Sequence, residues 1–275
     1  MCKVFEVSRN KYYEWRQTPV TERKKKDEIL ESKIRVIHNK SNKRYGSPRI
    51  HSALQDGGEQ VSRKRVARIM RENKIVSISK KKFKATTNSK HSFPVSPNLL
   101  NQNFHFENPN QAWVGDITYI PTAEGWLYLA TVIDLFSRMA VGWAASDRMT
   151  TDLVEKAFLN AYWKRKPSNG LIFHSDRGSQ YASHRYQQLL KTLNVQQSMS
   201  AKGNCYDNAV AESFFGKLKT EFVNHEKFIS RKEAKSGIFQ YIEIYFNRER
   251  KHSTLNYLSP LQFEEYHYIS KKFVS

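Results

Sequence analysis

The run Leu171-Ile172-Phe173-His174-Ser175-Asp176 decides how this chain is read. Three apolar residues lead into a carboxylate, and Arg177-Gly178 ends the run. That is the pattern of a short buried strand delivering an acid to a sheet edge. Two other acids stand comparably. Asp116 sits inside Trp113-Val114-Gly115-Asp116-Ile117-Thr118-Tyr119-Ile120, a second strand-like run. Glu212 sits in Asn208-Ala209-Val210-Ala211-Glu212-Ser213-Phe214-Phe215, which reads as helix. Three carboxylates on apolar elements of a basic chain point to a metal site that works on phosphates.

The charge supports that direction. The 275 residues carry a formal net charge of +20. Up to residue 108 there are 25 Lys and Arg against 10 Asp and Glu; beyond it, 21 against 16. The front part is the stronger grip on a polyanion, most simply a nucleic-acid backbone. A basic solvated surface is the plainer alternative. Cys2 and Cys205 form neither a disulfide framework nor a zinc-ligand spacing. Residues 1–20 hold no apolar signal core, and no run approaches the roughly 18 apolar residues of a membrane span. The expectation is a soluble protein of a reducing cytoplasm. No phosphate-cradling G-x-x-x-x-G-K-[ST] loop occurs, so nucleotide hydrolysis is not indicated.

Residues 21–76 read as three helices. The first spans about 24–39, with Ile29, Leu30, Ile34 and Ile37 on one face. Ser47 is the expected N-cap of the second, with Pro48 behind it, and Gln55-Asp56-Gly57-Gly58 stops it. Ser62 caps the third, which turns Val66, Ile69 and Met70 inward and leaves Arg63, Lys64, Arg65, Arg68 and Arg71 for solvent or DNA. A short helix, a glycine turn and a basic helix make a helix-turn-helix-like module. Residues 1–20 precede it as a poorly anchored segment, and 77–108 follow as a basic linker.

From 109 the pattern becomes α/β. Strands are expected at 113–121, 126–136 and 139–145, as an antiparallel meander. A helix follows, with Asp152 as its cap and Glu155 three residues on. Then come the strand 171–175, a helix near 183–193, a strand at 195–199 and a loop over 200–206. The helix carrying Glu212 is capped by Asp207 or Asn208, and an amphipathic helix over 231–248 presents Ile238, Tyr241, Ile242 and Tyr245. The core is placed at 109–228, with a helical extension at 229–275. This element order is that of a ribonuclease-H-like domain: a mixed five-stranded sheet with flanking helices.

Carboxylates converging from two strands and a helix suit one or two Mg²⁺ ions, whose remaining positions go to waters and substrate phosphate. Asp176 is also readable as a turn acid, and Glu212 as a routine helix residue. Asp116 is harder to dismiss, because an acid in mid-strand is disfavoured. Asp134 and Asp207 are rivals. Lys219, two helical turns after Glu212, shares its face and is a candidate DNA contact. His174 points to the same side of its strand as Asp176 and is another; a packed histidine is equally consistent.

These residues resemble a known family. The chain is similar to the second-frame product of bacterial insertion sequences whose transposase is made from two overlapping reading frames, relatives of retroviral integrases with a DDE core. The resemblance is carried by Asp116 in Trp-Val-Gly-Asp-Ile-Thr-Tyr-Ile, Asp134 in Val-Ile-Asp-Leu-Phe-Ser-Arg, and Asp176 in Phe-His-Ser-Asp-Arg-Gly-Ser-Gln-Tyr. Glu212 follows Gly203-Asn204-Cys205-Tyr206-Asp207-Asn208-Ala209, with 35 residues between it and Asp176. Upstream, Tyr45-Gly46-Ser47-Pro48-Arg49-Ile50 and Val66-Ala67-Arg68-Ile69-Met70 match as well. Downstream, Phe246-Asn247-Arg248-Glu249-Arg250-Lys251-His252-Ser253-Thr254-Leu255 matches a tail motif, with Phe246 for the usual tyrosine.

The resemblance implies an integrase-type catalytic core with Asp116, Asp176 and Glu212 as catalytic and metal-holding residues. It implies Mg²⁺ or Mn²⁺, two ions, and cleavage of element ends followed by 3′-hydroxyl strand transfer. Asp134 becomes a structural acid or one that supports the metal-holding residues from behind, and Lys219 the family's basic position. Implied partners are double-stranded DNA, further copies of the chain on that DNA, and the upstream-frame product, fused or paired. No leucine heptad precedes residue 20, so dimerisation and end recognition are expected to depend on that product. Two other readings stand beside this one: a non-catalytic DNA-binding regulator, and a metal-dependent nuclease acting on hybrids or junctions.

Overall fold

The computed structural model describes residues 8–17, 21–78, 95–201 and 205–272; for 15, 17, 205 and 206 only the backbone is described. Half of the expected basic linker, 79–94, and part of the loop before Glu212 lie outside these residues. The chain forms two compact units, Met1–Ile78 and Ser79–Ser275. Among the described residues no helix is long and apolar enough to cross a membrane.

The first unit is helical: α1 (Arg9–Gln17), α2 (Glu22–Lys40), α3 (Ser47–Asp56) and α4 (Arg63–Glu72). Its core joins Leu30 and Ile34 of α2 to Ile50 and Leu54 of α3 and to Val66, Ile69 and Met70 of α4. Ile29, expected in this core, is exposed. Packing follows the i, i+4 line through Leu30 and Ile34, and Ile29 lies a helical step of about 100° away. Ser62 caps α4 by accepting the Arg65 N–H. Gly46, not Ser47, is the cap of α3, so Ser47 and Pro48 open the helix itself.

The second unit is built on β1 (Ala112–Thr122), β2 (Gly125–Asp134), β3 (Ala140–Ser146), β4 (Ile172–Ser175) and β5 (Gln196–Met199), in the order β3-β2-β1-β4-β5. The first three strands pair antiparallel, while β4 and β5 join parallel. Helices α5 (Thr151–Arg165), α6 (Ser179–Ala182) and α7 (His184–Thr192) alternate with the later strands. After β5 come α8 (Ala209–Glu221), α9 (Arg231–Phe239), a π-helical stretch (Gln240–Glu249) and α10 (Pro260–Lys272). Thr150, rather than Asp152, holds the cap position of α5. Asp152 lies in the first turn and pairs with Arg185 at 2.6 Å.

Alternation along β1 sorts its side chains to two faces. Trp113 enters one core with Leu153, Ala157 and Phe158 of α5 and Tyr186 of α7. Val114 packs with Ala211, and Ile120 with Phe214 and Leu218, all of α8. Gly115 faces the α5 side, where the Phe173 ring fills its place: a Cβ there would stand 2.4 Å from that ring. Asp116, between Val114 and Ile120 in the alternation, therefore belongs to the face that α8 covers.

Candidate functional site

The sheet brings the two strand acids together. Gly115 pairs with Ser175 as the last register pair between β1 and β4. Asp116 and Asp176 are each one step further, on strands about 4.8 Å apart, and project to the same face. Both are half-buried. The Asp116 carboxylate accepts the Ile117 N–H at 2.7 Å, and that of Asp176 accepts the Gly178 N–H at 2.9 Å. Burial pushes the Asp116 carboxyl well above the ordinary carboxylate range, and the Asp176 charge adds to it. Glu212 raises it further and Lys219 opposes.

Glu212 is exposed, in the first turn of α8. Lys219, on the same helix, sets its ammonium 4.7 Å from the centre of the Tyr119 ring. Burial lowers its pKa, and the Asp116 charge works against that. Among the described residues no three His, Cys, Asp or Glu side chains stand close enough to hold one metal ion. What the fold provides is an adjacent pair of hard oxygen donors with the third carboxylate on the covering helix. Negative charge that raises a pKa by mutual repulsion is what a bound divalent cation relieves, so the donor set fits such an ion.

The other acids separate from this pair. Asp134 is fully buried and accepts from Asn110 N, Trp113 Nε1, Phe136 N and Ser137 N at 2.6–3.2 Å. Four donors make it the knot that ties the end of β2 to β1. Asp207 is buried too, with Oδ2 accepting Ala201 N at 2.7 Å and Asn98 Nδ2 at 3.0 Å. Asn208, at the cap position of α8, makes no side-chain capping bond.

His174 is corrected from DNA contact to interior residue. It is fully buried, with Nδ1 2.8 Å from Ser198 Oγ and Nε2 3.2 Å from Ser200 Oγ. Burial lowers its pKa to about 4, so the ring is neutral at pH 7. Among the basic residues of α4, Arg63 and Lys64 are exposed. Arg65 and Arg68 are not simply presented outward: each pairs with Asp27 of α2, at 2.7 and 2.6 Å.

The tail motif proves architectural. Asn247 pairs with both backbone groups of Ala140 at 3.0 Å, standing in for a strand beside β3. Arg250, almost fully buried, makes a two-bond pair with Glu221 of α8, and Tyr241 donates to the same carboxylate. Phe246 packs edge-on against Phe214 at 4.7 Å and against His252 at 4.8 Å. A phenylalanine suits that apolar slot. The Glu221 partnership is hidden in sequence, where Arg250 stands in the charged run Arg248-Glu249-Arg250-Lys251.

Comparison with known proteins agrees with this arrangement. A family model described as an HTH-like domain matches residues 24–83. Two described as an integrase core domain match 107–205 and 193–260. The transposase InsF for insertion sequence IS3A of Escherichia coli strain K12 is 45% identical over 96% of this chain and 92% of its own length. An uncharacterized 31 kDa protein of insertion element IS600 from Shigella sonnei is 48% identical over 97% and 98%. A chain of the simian T-cell lymphotropic virus intasome, solved with the PP2A regulatory subunit B56 gamma, overlays with a TM-score of 0.49 at 18% identity, over 83% of this chain and 73% of that one. With relatives this similar along almost its whole length, the chain belongs to the IS3 family of insertion-sequence transposases, built on an integrase core behind a helix-turn-helix-like domain.

Proposed function

We propose that this chain is the catalytic subunit of transposition, cutting the ends of its element and joining them to target DNA. The observation that carries the proposal is the Asp116–Asp176 pair, held side by side at the carboxyl end of β4 on the face that α8 crosses. Asp116, Asp176 and Glu212 would hold Mg²⁺ or Mn²⁺, as two ions in the two-metal arrangement. Such ions, when bound, activate an attacking oxygen and stabilise the leaving one. In the first step water attacks phosphorus, the P–O3′ bond breaks, and a 3′-hydroxyl is left at the element end. In the second that hydroxyl attacks a target phosphodiester, exchanging one P–O bond for another. No covalent bond to the protein is needed. Lys219 lies on the face of α8 from which Glu212 projects and would meet the DNA backbone there. Arg63 and Lys64 of α4 would meet it in the first unit, with Arg65 and Arg68 held back by Asp27.

The partners in this reading are element-end and target duplexes, other copies of the chain on that DNA, and the upstream-frame product, with the bacterial cytoplasm as the place of action. The test is a strand-transfer assay with labelled element-end DNA and Mg²⁺, on the chain alone and fused to that product. Transfer is expected in at least one form. Asp176→Asn is expected to remove it and to leave duplex binding intact. Transfer by the Asp176→Asn protein would overturn the proposal, and binding without transfer in every form would turn the reading to a regulator.

A further inference from the structure

The segment joining β5 to α8 carries the third acid to the other two, and a line of polar bonds reaches along it from β4. His174 sits on the α8 side of β4, two residues before Asp176. Its Nε2 faces Ser200 Oγ, and that hydroxyl donates in turn to Ser175 O at 3.3 Å. With Nε2 donating, Nδ1 accepts from the Ser198 hydroxyl, whose oxygen receives Leu99 N–H at 2.9 Å. Each of these groups thus has a consistent donor and acceptor. Ser200 N donates to Ser175 O, and Arg177 Nε to Ser200 O at 2.7 Å. Beyond Ser200, Ala201 N donates to the Asp207 carboxylate at 2.7 Å, which carries the line to the head of α8. Asp207 stands five residues before Glu212.

An apolar side chain at position 174 would seal this space equally well. It would leave residues 198–201 and Asp207 free to slide, because apolar contacts have no direction. A fully satisfied polar network selects one arrangement. We propose that His174 is a positioning residue which, through Ser200 and Asp207, fixes where α8 places Glu212 relative to Asp176, and so sets the affinity of the site for its divalent ion. The inference rests on the carboxylate reading above and deepens it.

The test uses the full chain, with Mn²⁺ as the probe followed by electron paramagnetic resonance, and the variants Ser200→Ala and His174→Gln. Mn²⁺ affinity is expected to fall about 10-fold in each, as when the partners of metal-holding groups are removed. Metal-free melting is expected to fall by about 2–8 °C with the chain still folded, what an unpaired buried polar group is worth at this size, and metal-free duplex binding to be unchanged. In the double variant the loss is expected to equal that of one single, since both lie on one path. Unchanged Mn²⁺ affinity in the folded Ser200→Ala protein would overturn the inference, as would losses that simply add. If His174→Gln does not fold, Ser200→Ala decides alone. Asp176→Asn is run in parallel. Loss of Mn²⁺ there with none in the other variants removes this inference only, whereas no loss there removes the carboxylate reading itself.

Discussion

At the scale of single residues, Asp116 shows what a buried pair of carboxylates costs. Its carboxyl titrates above the ordinary range because burial and Asp176 disfavour the charged form. An acid whose folded value exceeds its unfolded value loses stability for the fold as pH rises through that interval, so at pH 7 the charge is a net liability. Asp116→Asn removes it. Without metal the variant should melt about 2–4 °C higher than the parent, what roughly 1 kcal/mol is worth at this size. Added Mn²⁺ should reverse the order, because only the parent is stabilised by binding. Scanning calorimetry with and without Mn²⁺ checks both halves. Burial raises the Asp134 carboxyl too, while the Asn110 and Ser137 N–H groups pull the other way. Its four donors tie it into the scaffold.

At the scale of elements, α8 is held at both ends. Its head receives the Asp207 turn, and its tail is anchored where Glu221 meets Arg250. Arg250→Met would leave Glu221 buried without its charge partner, a loss of about 3–5 kcal/mol in urea unfolding. Replacing both by methionine should restore more than half of that, since no charge is then stranded. The strands that carry Asp116 and Asp176 are legible in sequence because alternation and turn residues are local signals. So is the inward face of α9 and the π-helical stretch after it, where Ile238, Tyr241, Ile242 and Tyr245 are all buried. Its wider π winding is not legible, since it leaves the same apolar spacing in place. Alternation places His174 on one side of its strand, but its depth comes from contacts that include Ser198 and Ser200, which no local pattern connects to β4. Arg65 and Arg68 look free in sequence because Asp27 lies 38 and 41 residues upstream.

At the scale of the molecule, the +20 charge acts as a long-range attraction to polyanions, concentrated in the first 108 residues. Asp27 subtracts from it where α4 presents its arginines. Asp27→Ala should release Arg65 and Arg68 to phosphates. Duplex affinity should rise, and its salt dependence should steepen by about 0.9 in log–log slope for each additional phosphate neutralised. Fluorescence anisotropy across a salt series reads both, and an unchanged slope would mean these arginines stay with the protein. The layering of the second unit has a further consequence, in the order of synthesis. One face of the sheet has its main cover by Arg165, whereas the face holding Asp116 waits for residues 209–246. A ribosome delivers these in sequence, and domains fold as they emerge. The growing chain therefore has its first unit long before Glu212 leaves the tunnel. A product released early would hold Asp116 and Asp176 without Glu212, and an uncovered apolar sheet; on the proposed reading it would occupy DNA without cutting it.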